Sequence, residues 1–524
     1  MGKSVVILGE KFKTSFEGPS NNQKPTKGVD PPVNLINSIM EKFNNGLLQK
    51  TLSDISKLLR HYPYSATLYN IQGATNARLG SPNAALESFK NAISINPNSA
   101  EANNNMGNIL KEQGELENAV KAYTNALLLK PDYAEAFYNL GNAYKEMRKL
   151  KDAISAYNKA VSLNPNYAEA FYNRGLAQSN MDDLDAAIES YNEAIRSNPK
   201  FGTAFNNKAN ALFEKGELEK AIENYKQAVK LSPNHAEAWN NLGSVLSIIG
   251  NQQAAIESFN QALKINPSYI EALFNLGKIF KFIRKENKAA KCFETVANLD
   301  ENDVLGAKLQ LATLGRSSPP SKTPKVFMEH FYKKRAKIWD SQPLEKYSGH
   351  LLIASAFGQA NIEKDNVILD LGCGTGSLAS FLRPYAKSLI GIDLSHEMLT
   401  HAREAKLYDF LFETDIEFYL AETSDHFDII VAAAVFIHFL NLEDIFSLIA
   451  NKLKKNGQFI FTVFEGQKEH KYLNEFLTYS HSDDYVSDLV EDLDLKIIFR
   501  DRAIHEYHEE TPIYSLVYVL QKTL

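Results

Sequence analysis

Cysteine is nearly absent. Cys292 and Cys373 are the only two in 524 residues. They stand far apart in sequence, so neither a disulfide framework nor a thiolate metal site can be built from them. No apolar run approaches the roughly eighteen residues of a membrane span. The N-terminus has no basic start followed by a long apolar core, which argues against a secretory signal. The opening Met-Gly misses the lipidation pattern, because position 6 is Val rather than Ser or Thr. Charge of one sign is also missing. A formal net charge of −6 is modest for this length and leaves no footprint for nucleic acid or an anionic membrane. Together these absences predict a soluble protein of a reducing, cytoplasmic setting. The 44% apolar content suffices for two or more cored domains.

What is present, above all, is a period of 34 residues. Prolines recur at Pro63, Pro97, Pro131, Pro165, Pro199, Pro233 and Pro267. Small residues keep step at Gly73, Gly107, Gly141, Gly175, Ala209, Gly243 and Gly277, and an alanine row runs from Ala85 to Ala289. Four residues after each of those alanines stands an aromatic, from Phe89 through Tyr123, Tyr157, Tyr191 and Tyr225 to Phe293. Two antiparallel helices per unit account for this. Small residues let the helices approach, the aromatic fills the gap, and proline stops the second helix. The pattern resembles the tetratricopeptide repeat. It predicts an all-α superhelix over 33–312, about eight units with degenerate ends suited to capping, after a disordered tail at 1–32 rich in Gly, Asn, Lys and Pro.

Within the repeats, Asn105, Asn139, Asn173, Asn207, Asn241 and Asn275 occupy one mid-helix slot, and Asn108, Asn142 and Asn210 form a partial second row. Asparagine is a poor helix former, so the recurrence needs a reason. The row is similar to the asparagine ladder of the repeat domain in O-linked N-acetylglucosamine transferases. That resemblance implies a groove gripping the backbone of a protein or peptide partner, since a carboxamide both donates and accepts. Asparagine is also frequent at this slot in tetratricopeptide consensus sequences, which is the plainer alternative.

Gly315 to Pro324 is rich in Pro and Ser and marks a linker, taken as 313–325. The second domain, 326–524, begins with a segment whose aromatic markers are Phe327, Phe331, Trp339 and Tyr347; Lys333–Lys337 reads as a solvated face. Val367-Ile-Leu-Asp-Leu-Gly-Cys-Gly-Thr-Gly376 follows: a strand, a glycine loop, and a helix expected over Ser377–Leu382. Such a loop lets a ligand approach the backbone, and a helix start offers free N–H groups to it. The third glycine of the dinucleotide fingerprint and the Lys-Ser/Thr of a phosphate loop are both missing. A second strand, Ser388–Leu394, carries Asp393, placed to accept ribose hydroxyls.

These two motifs together resemble the S-adenosylmethionine site of class I methyltransferases, from about Val326 onward. The C-terminal half, including Tyr479-Ser-His-Ser482, resembles a bacterial family of methyltransferases that carry tetratricopeptide repeats. The resemblance implies a Rossmann-like α/β domain binding S-adenosyl-L-methionine. Gly372, Cys373, Gly374 and Gly376 would lie against the methionine moiety, with Asp370 near its amino group. Asp393 would hold the ribose and Asp415 the adenine. Leu394 and Met398 would face the adenine or else belong to the helix–sheet core. Tyr347 would line the site or pack.

Strands are expected over Phe410–Asp415, from Phe427 toward His438, and over Gln458–Phe464, Leu495–Arg500 and Ser515–Leu520, the last two a hairpin completing a seven-stranded sheet. Ala433, Ala434 and Val435 should edge the cofactor. Relatives often carry Asp at the slot of Ala434. His438 is the candidate general base, since imidazole titrates near neutrality; a structural loop histidine is the alternative. His481 and Tyr485 are further candidates for the acceptor side. No metal cluster is visible. The function expected is a methyltransferase whose repeats recruit a protein substrate or partner. Its rival is a non-catalytic repeat scaffold with a vestigial or sensory cofactor domain.

Overall fold

The structure, a computed structural model, describes residues 30–336, 339, 348–360, 362–466, 471–508 and 511–523. Most of the expected tail and Tyr347 therefore lie outside the described residues. Of the tail, Asp30 accepts hydrogen bonds from Ser65 and, at 2.6 Å, from Thr67. Two compact units divide the chain, Met1–Ser258 and Phe259–Leu524.

In the first unit, helices succeed one another in pairs, such as Ala100–Glu112 with Leu116–Leu129 and Ala134–Glu146 with Leu150–Leu163. Each second helix ends before its proline. Asn164, just ahead of Pro165, is already extended at φ −129°, as a residue preceding proline prefers. At Gly73, Gly107, Gly141 and Gly175 the space beside the first helix is filled by the aromatic of the second. A Cβ on Gly107 would lie 2.6 Å from Tyr123 Cε1, and one on Gly141 2.5 Å from Tyr157 Cε1. The ring takes the space that a side chain would need. The buried hydroxyls are satisfied by the second asparagine row: Tyr123 and Tyr157 donate to Asn108 and Asn142 at 2.7 Å, and Tyr225 to Asn210 at 2.5 Å.

The second unit opens with the last repeat pair, Ile270–Phe282 and Glu286–Leu299. Helix Ala307–Thr313 covers it, burying Phe293 and Val296 against Ala307 and Leu311. A nine-stranded sheet follows: β1 Asn366–Leu371, β2 Ala386–Asp393, β3 Phe410–Glu413, β4 Phe427–Ala432, β5 Leu453–Glu465, β6 Lys471–Leu473, β7 Tyr479–His481, β8 Leu495–His508 and β9 Thr511–Lys522. Strands run β3-β2-β1-β4-β5 in parallel. β9 then pairs antiparallel with β5, and β8 with β9.

The C-terminal hairpin is therefore present, but seven strands was too few. Short β6 and β7 add a second hairpin against the end of β5. Three-residue strands show too little alternation to be read from sequence. Side chains alternate across the sheet. Leu369 and Leu371 enter one apolar layer with helices Glu443–Lys452 and Asp483–Glu491; Ile368 enters the other, with helices Gly349–Gln359 and Ala379–Leu382.

The helix after the glycine loop, Ala379–Leu382, begins two residues later than expected and ends where expected. Pro384, which has no N–H to give the i−4 carbonyl, turns the chain into a 3-10 turn over Arg383–Tyr385. One turn sums few peptide dipoles, so the helix-dipole argument for ligand binding loses its force here.

The Pro/Ser-rich segment is hydrogen-bonded to the sheet domain. Thr323 N–H donates to the His438 carbonyl, Leu440 N–H to that of Ser321, and the Tyr479 hydroxyl to that of Pro320.

Candidate functional site

At the C-terminal ends of β1, β2 and β4 lies a cavity of about 850 Å³. Strand order reverses there, between β2-β1 and β4, which is where open parallel sheets take ligands. The cavity gathers Asp370, Gly372, Cys373, Gly374, Asp393, Leu394, Met398, Asp415, Ala433 and His438. Gly376 does not line it; a Cβ there would meet Tyr408 Cε2 at 3.2 Å.

The loop leaves β1 through three left-handed glycines, Gly372 at φ 66°, Gly374 at φ 55° and Gly376 at φ 86°. A Cβ on Gly374 would meet nothing within 4 Å, so its backbone faces open space, as a ligand cradle requires. The loop is tied to β2. Cys373 N–H donates to the Ile392 carbonyl, and Gly374 N–H to Asp393 Oδ2, both at 2.9 Å. Asp393 Oδ1 accepts Ser395 N–H at 2.8 Å. Each carboxylate oxygen thus takes a backbone donor, and Leu394 N–H adds to them. Burial raises the Asp393 pKa, opposed by those backbone donors.

Asp370 is buried, and its Oδ2 accepts the Tyr408 hydroxyl at 2.7 Å. Burial pushes its pKa up to about 7; the Tyr408 hydroxyl works against this and Asp393 adds to it. Burial also holds the Cys373 thiol well above its usual range.

Ser395 caps helix His396–Ala405 by accepting Met398 N–H at 3.2 Å, and Met398 is buried. Asp415 caps helix Ile416–Glu422, its Oδ1 accepting Phe418 N–H at 3.2 Å, with Lys322 Nζ 3.9 Å from Oδ2. One of its oxygens is therefore hydrogen-bonded and the other faces the Lys322 ammonium.

Ala433 and Ala434 follow the end of β4 at Ala432. Ala434 holds φ 56°, costly for alanine, with its N–H on Thr462 Oγ1 at 2.9 Å. Asn and Asp tolerate that region better than Ala does.

His438 lines the cavity with both ring nitrogens engaged. Nε2 shares a hydrogen bond with the Tyr332 hydroxyl at 2.7 Å, and Nδ1 meets Thr323 Oγ1 at 3.3 Å. Burial lowers its pKa to about 4, so the ring is neutral at pH 7 and titrates well below neutrality. His481 and Tyr485 do not line the cavity. His481 is buried and stacks on Tyr485, whose hydroxyl accepts Leu442 N–H at 2.8 Å.

Sequence reasoning missed Tyr408, Tyr332 and the far wall. The wall includes Phe464 and His505 of the sheet, Glu475–Thr478 between β6 and β7, and Lys281 and Gln310 of the repeat end. Lys281 Nζ donates to Gln310 Oε1 at 2.9 Å and Thr313 Oγ1 at 2.7 Å. No cluster of metal-ligating side chains occurs among the described residues, and no described helix is long and apolar enough to cross a membrane.

The asparagine row is engaged within the array. Asn105 donates to Asn70 at 3.1 Å, Asn139 to Asn104 at 3.0 Å, Asn173 to the Tyr138 hydroxyl at 3.0 Å and Asn207 to the Tyr172 hydroxyl at 2.9 Å. Asn241 reaches Asn206 at 3.4 Å and Asn210 at 3.2 Å. Each of these five carboxamides thus reaches back to the preceding repeat through its Nδ2. Asn275 sits partly buried in the last repeat helix.

Residues 345–501 match the Methyltransferase domain family. Tetratricopeptide-repeat families match 77–114, 107–147 and 209–247, then 134–167, 168–201 and 236–269, and finally 270–303. The chain is 31% identical over 140 residues to the probable S-adenosylmethionine-dependent methyltransferase CRG1 of Saccharomyces cerevisiae, covering 25% of this chain and 48% of that one. It is 36% identical over 74 residues to the malonyl-[acyl-carrier protein] O-methyltransferase of Pectobacterium atrosepticum, 14% of this chain and 28% of that one. Of solved structures, YrrB, titled a TPR protein with an unusual peptide-binding site, is 28% identical over 36% of this chain and 97% of its own, with a TM-score of 0.33. The chain thus carries tetratricopeptide repeats and a methyltransferase domain, and spans less than half the length of these two methyltransferases.

Proposed function

We propose that the chain is an S-adenosyl-L-methionine-dependent methyltransferase whose repeats recruit a protein substrate or partner. One observation carries this: a single cavity at the strand-order reversal joins the open glycine loop, the carboxylates of Asp370 and Asp393, and His438. The donor set suits a cationic amino acid joined to a nucleoside. Asp370 would pair with the amino group, Asp393 with the ribose hydroxyls, and Asp415 with the adenine, Leu394 and Met398 lying alongside. The bound donor supplies an activated methyl on a sulfonium, so the protein's task is alignment and exclusion of water. His438, neutral at pH 7, has the form that can take a proton from an O–H or N–H acceptor. Tyr332 and Thr323 fix its ring.

The repeats supply the recruiting arm. A peptide seated over the asparagine rows would meet the carboxamide donors and lone pairs left over from the inter-repeat bonds. Two free cysteines support a reducing, cytoplasmic setting. The rival is a cofactor-sensing scaffold without turnover. It draws on Ala434 and on the engagement of both His438 nitrogens. Incubating the full chain with methyl-labelled donor and a cell lysate separates them. Label in protein supports the recruiting arm, label only in small molecules leaves a methyltransferase with another acceptor, and no label supports the scaffold.

A further inference from the structure

We propose that Tyr408 is a positioning residue for the amino-acid end of the methyl donor: its hydroxyl orients the Asp370 carboxylate while its ring props the glycine loop from beneath. The inference rests on the donor assignment above and deepens it.

Two strands leave the space for this ring. Asp370 of β1 stands opposite Gly391 of β2 and Val431 of β4. A Cβ on Gly391 would lie 2.8 Å from Tyr408 Cε1 and 2.9 Å from Cys373 Sγ. A Cβ on Gly376 would lie 3.2 Å from Tyr408 Cε2. Glycine in mid-strand weakens a sheet and usually marks a close approach. Here the approaching groups are Leu411 of β3, 2.8 Å from that Cβ, and a tyrosine carried by the loop before β3, and Gly376 at the end of the glycine loop rests on the same ring. The hydroxyl then reaches Asp370 Oδ2 at 2.7 Å.

The bond has an electrostatic consequence. The titratable groups facing Asp370 are Tyr408, Asp393 and Cys373, and the residues opposite it on β2 and β4 carry no charge. Burial and Asp393 favour its neutral form; the Tyr408 hydroxyl, a donor to the carboxylate, favours the ionised form. Removing that donor shifts Asp370 toward the protonated state at neutral pH. An ammonium group then loses its counter-charge.

Titration of the full chain with two ligands tests this. S-adenosylmethionine carries the amino acid; 5′-methylthioadenosine keeps the adenosine and lacks it. Tyr408→Phe should weaken S-adenosylmethionine about tenfold or more, the worth of one hydrogen bond to a charged group, and leave methylthioadenosine within about twofold. The pH at which S-adenosylmethionine affinity reaches half its plateau should move upward. Tyr408→Leu, which removes the ring as well, should weaken both ligands. Equal losses for both ligands with Tyr408→Phe would mean that the hydroxyl does not act on the amino-acid end, and no loss for either would mean that it has no role; both overturn the proposal. If the unaltered chain binds neither ligand, the donor assignment itself fails.

Discussion

Asn173 Nδ2 donates to the hydroxyl of Tyr138 at 3.0 Å, from one repeat into the first helix of the one before. Lys145 Nζ meets the other end of the same carboxamide, at 2.8 Å from Oδ1. The row of asparagines is in this sense a set of struts. Asn139→Ala should therefore lower the unfolding midpoint of the chain. The cost is about 1–3 kcal/mol, because Asn139 is buried and its loss leaves Asn104 Oδ1 without that donor. Thermal unfolding checks it, and an unchanged midpoint would return the row to a purely ligand-facing role.

Gly141→Ala places a methyl 2.5 Å from Tyr157 Cε1. Overpacking of this kind costs about 1–3 kcal/mol. Gly114, at φ 81° in a turn with nothing within 4 Å, is limited by backbone conformation instead. A denaturant titration should show Gly141→Ala unfolding earlier than the parent, and Gly141→Ala paired with Tyr157→Leu recovering part of the loss.

Period and aromatic spacing made the repeats legible because each glycine is matched to one ring within its own unit. The five parallel strands were legible for a similar reason: Ile368, Leu369 and Leu371 are apolar on both faces, as a doubly covered strand must be. What sequence hid was long-range. His438 is fixed by Thr323 and Tyr332, more than a hundred residues earlier. Tyr408 is one aromatic in a short loop, and its partner Asp370 lies 38 residues before it. The signal that could have found it is Gly391, an unexplained glycine inside a strand. The inter-repeat bonds of the asparagines were not legible either, because a polar residue recurring on a helix looks the same whether it faces a ligand or the next repeat.

Ala434 sits at φ 56°. Ala434→Gly should relieve that conformation and gain up to about 1 kcal/mol, whereas Ala434→Val should lose more than that. Calorimetric melting of the two variants measures it. A loss in both would mean that the methyl's own contacts outweigh the backbone.

Burial keeps three histidines of the second unit neutral. It lowers His438 and His481 to about 4 and His505 to about 3. Unfolded histidine titrates near 6.5. Between those values the unfolded chain binds more protons, so stability falls as pH drops from about 6.5 toward 4. Asp370, raised to about 7, has the opposite sign, and its contribution is lost as pH rises from about 4 to 7. Asp303 and Asp393, also raised by burial, share the sign of Asp370, so the histidine contribution is read from a variant that removes one of the three rings. His481→Gln should flatten that limb in denaturation midpoints measured across pH; a limb of unchanged slope would contradict the burial of a neutral His481.

The central claim is that Asp393, held by Gly374 and Ser395, closes on the sugar of an adenosyl donor. Calorimetric titration of the full chain with S-adenosylmethionine tests it most directly, beside Asp393→Ala. The account predicts saturable binding by the unaltered chain and a loss of more than about tenfold in the variant, which gives up two backbone tethers as well as the ribose partner. Equal affinity in the two proteins would contradict it.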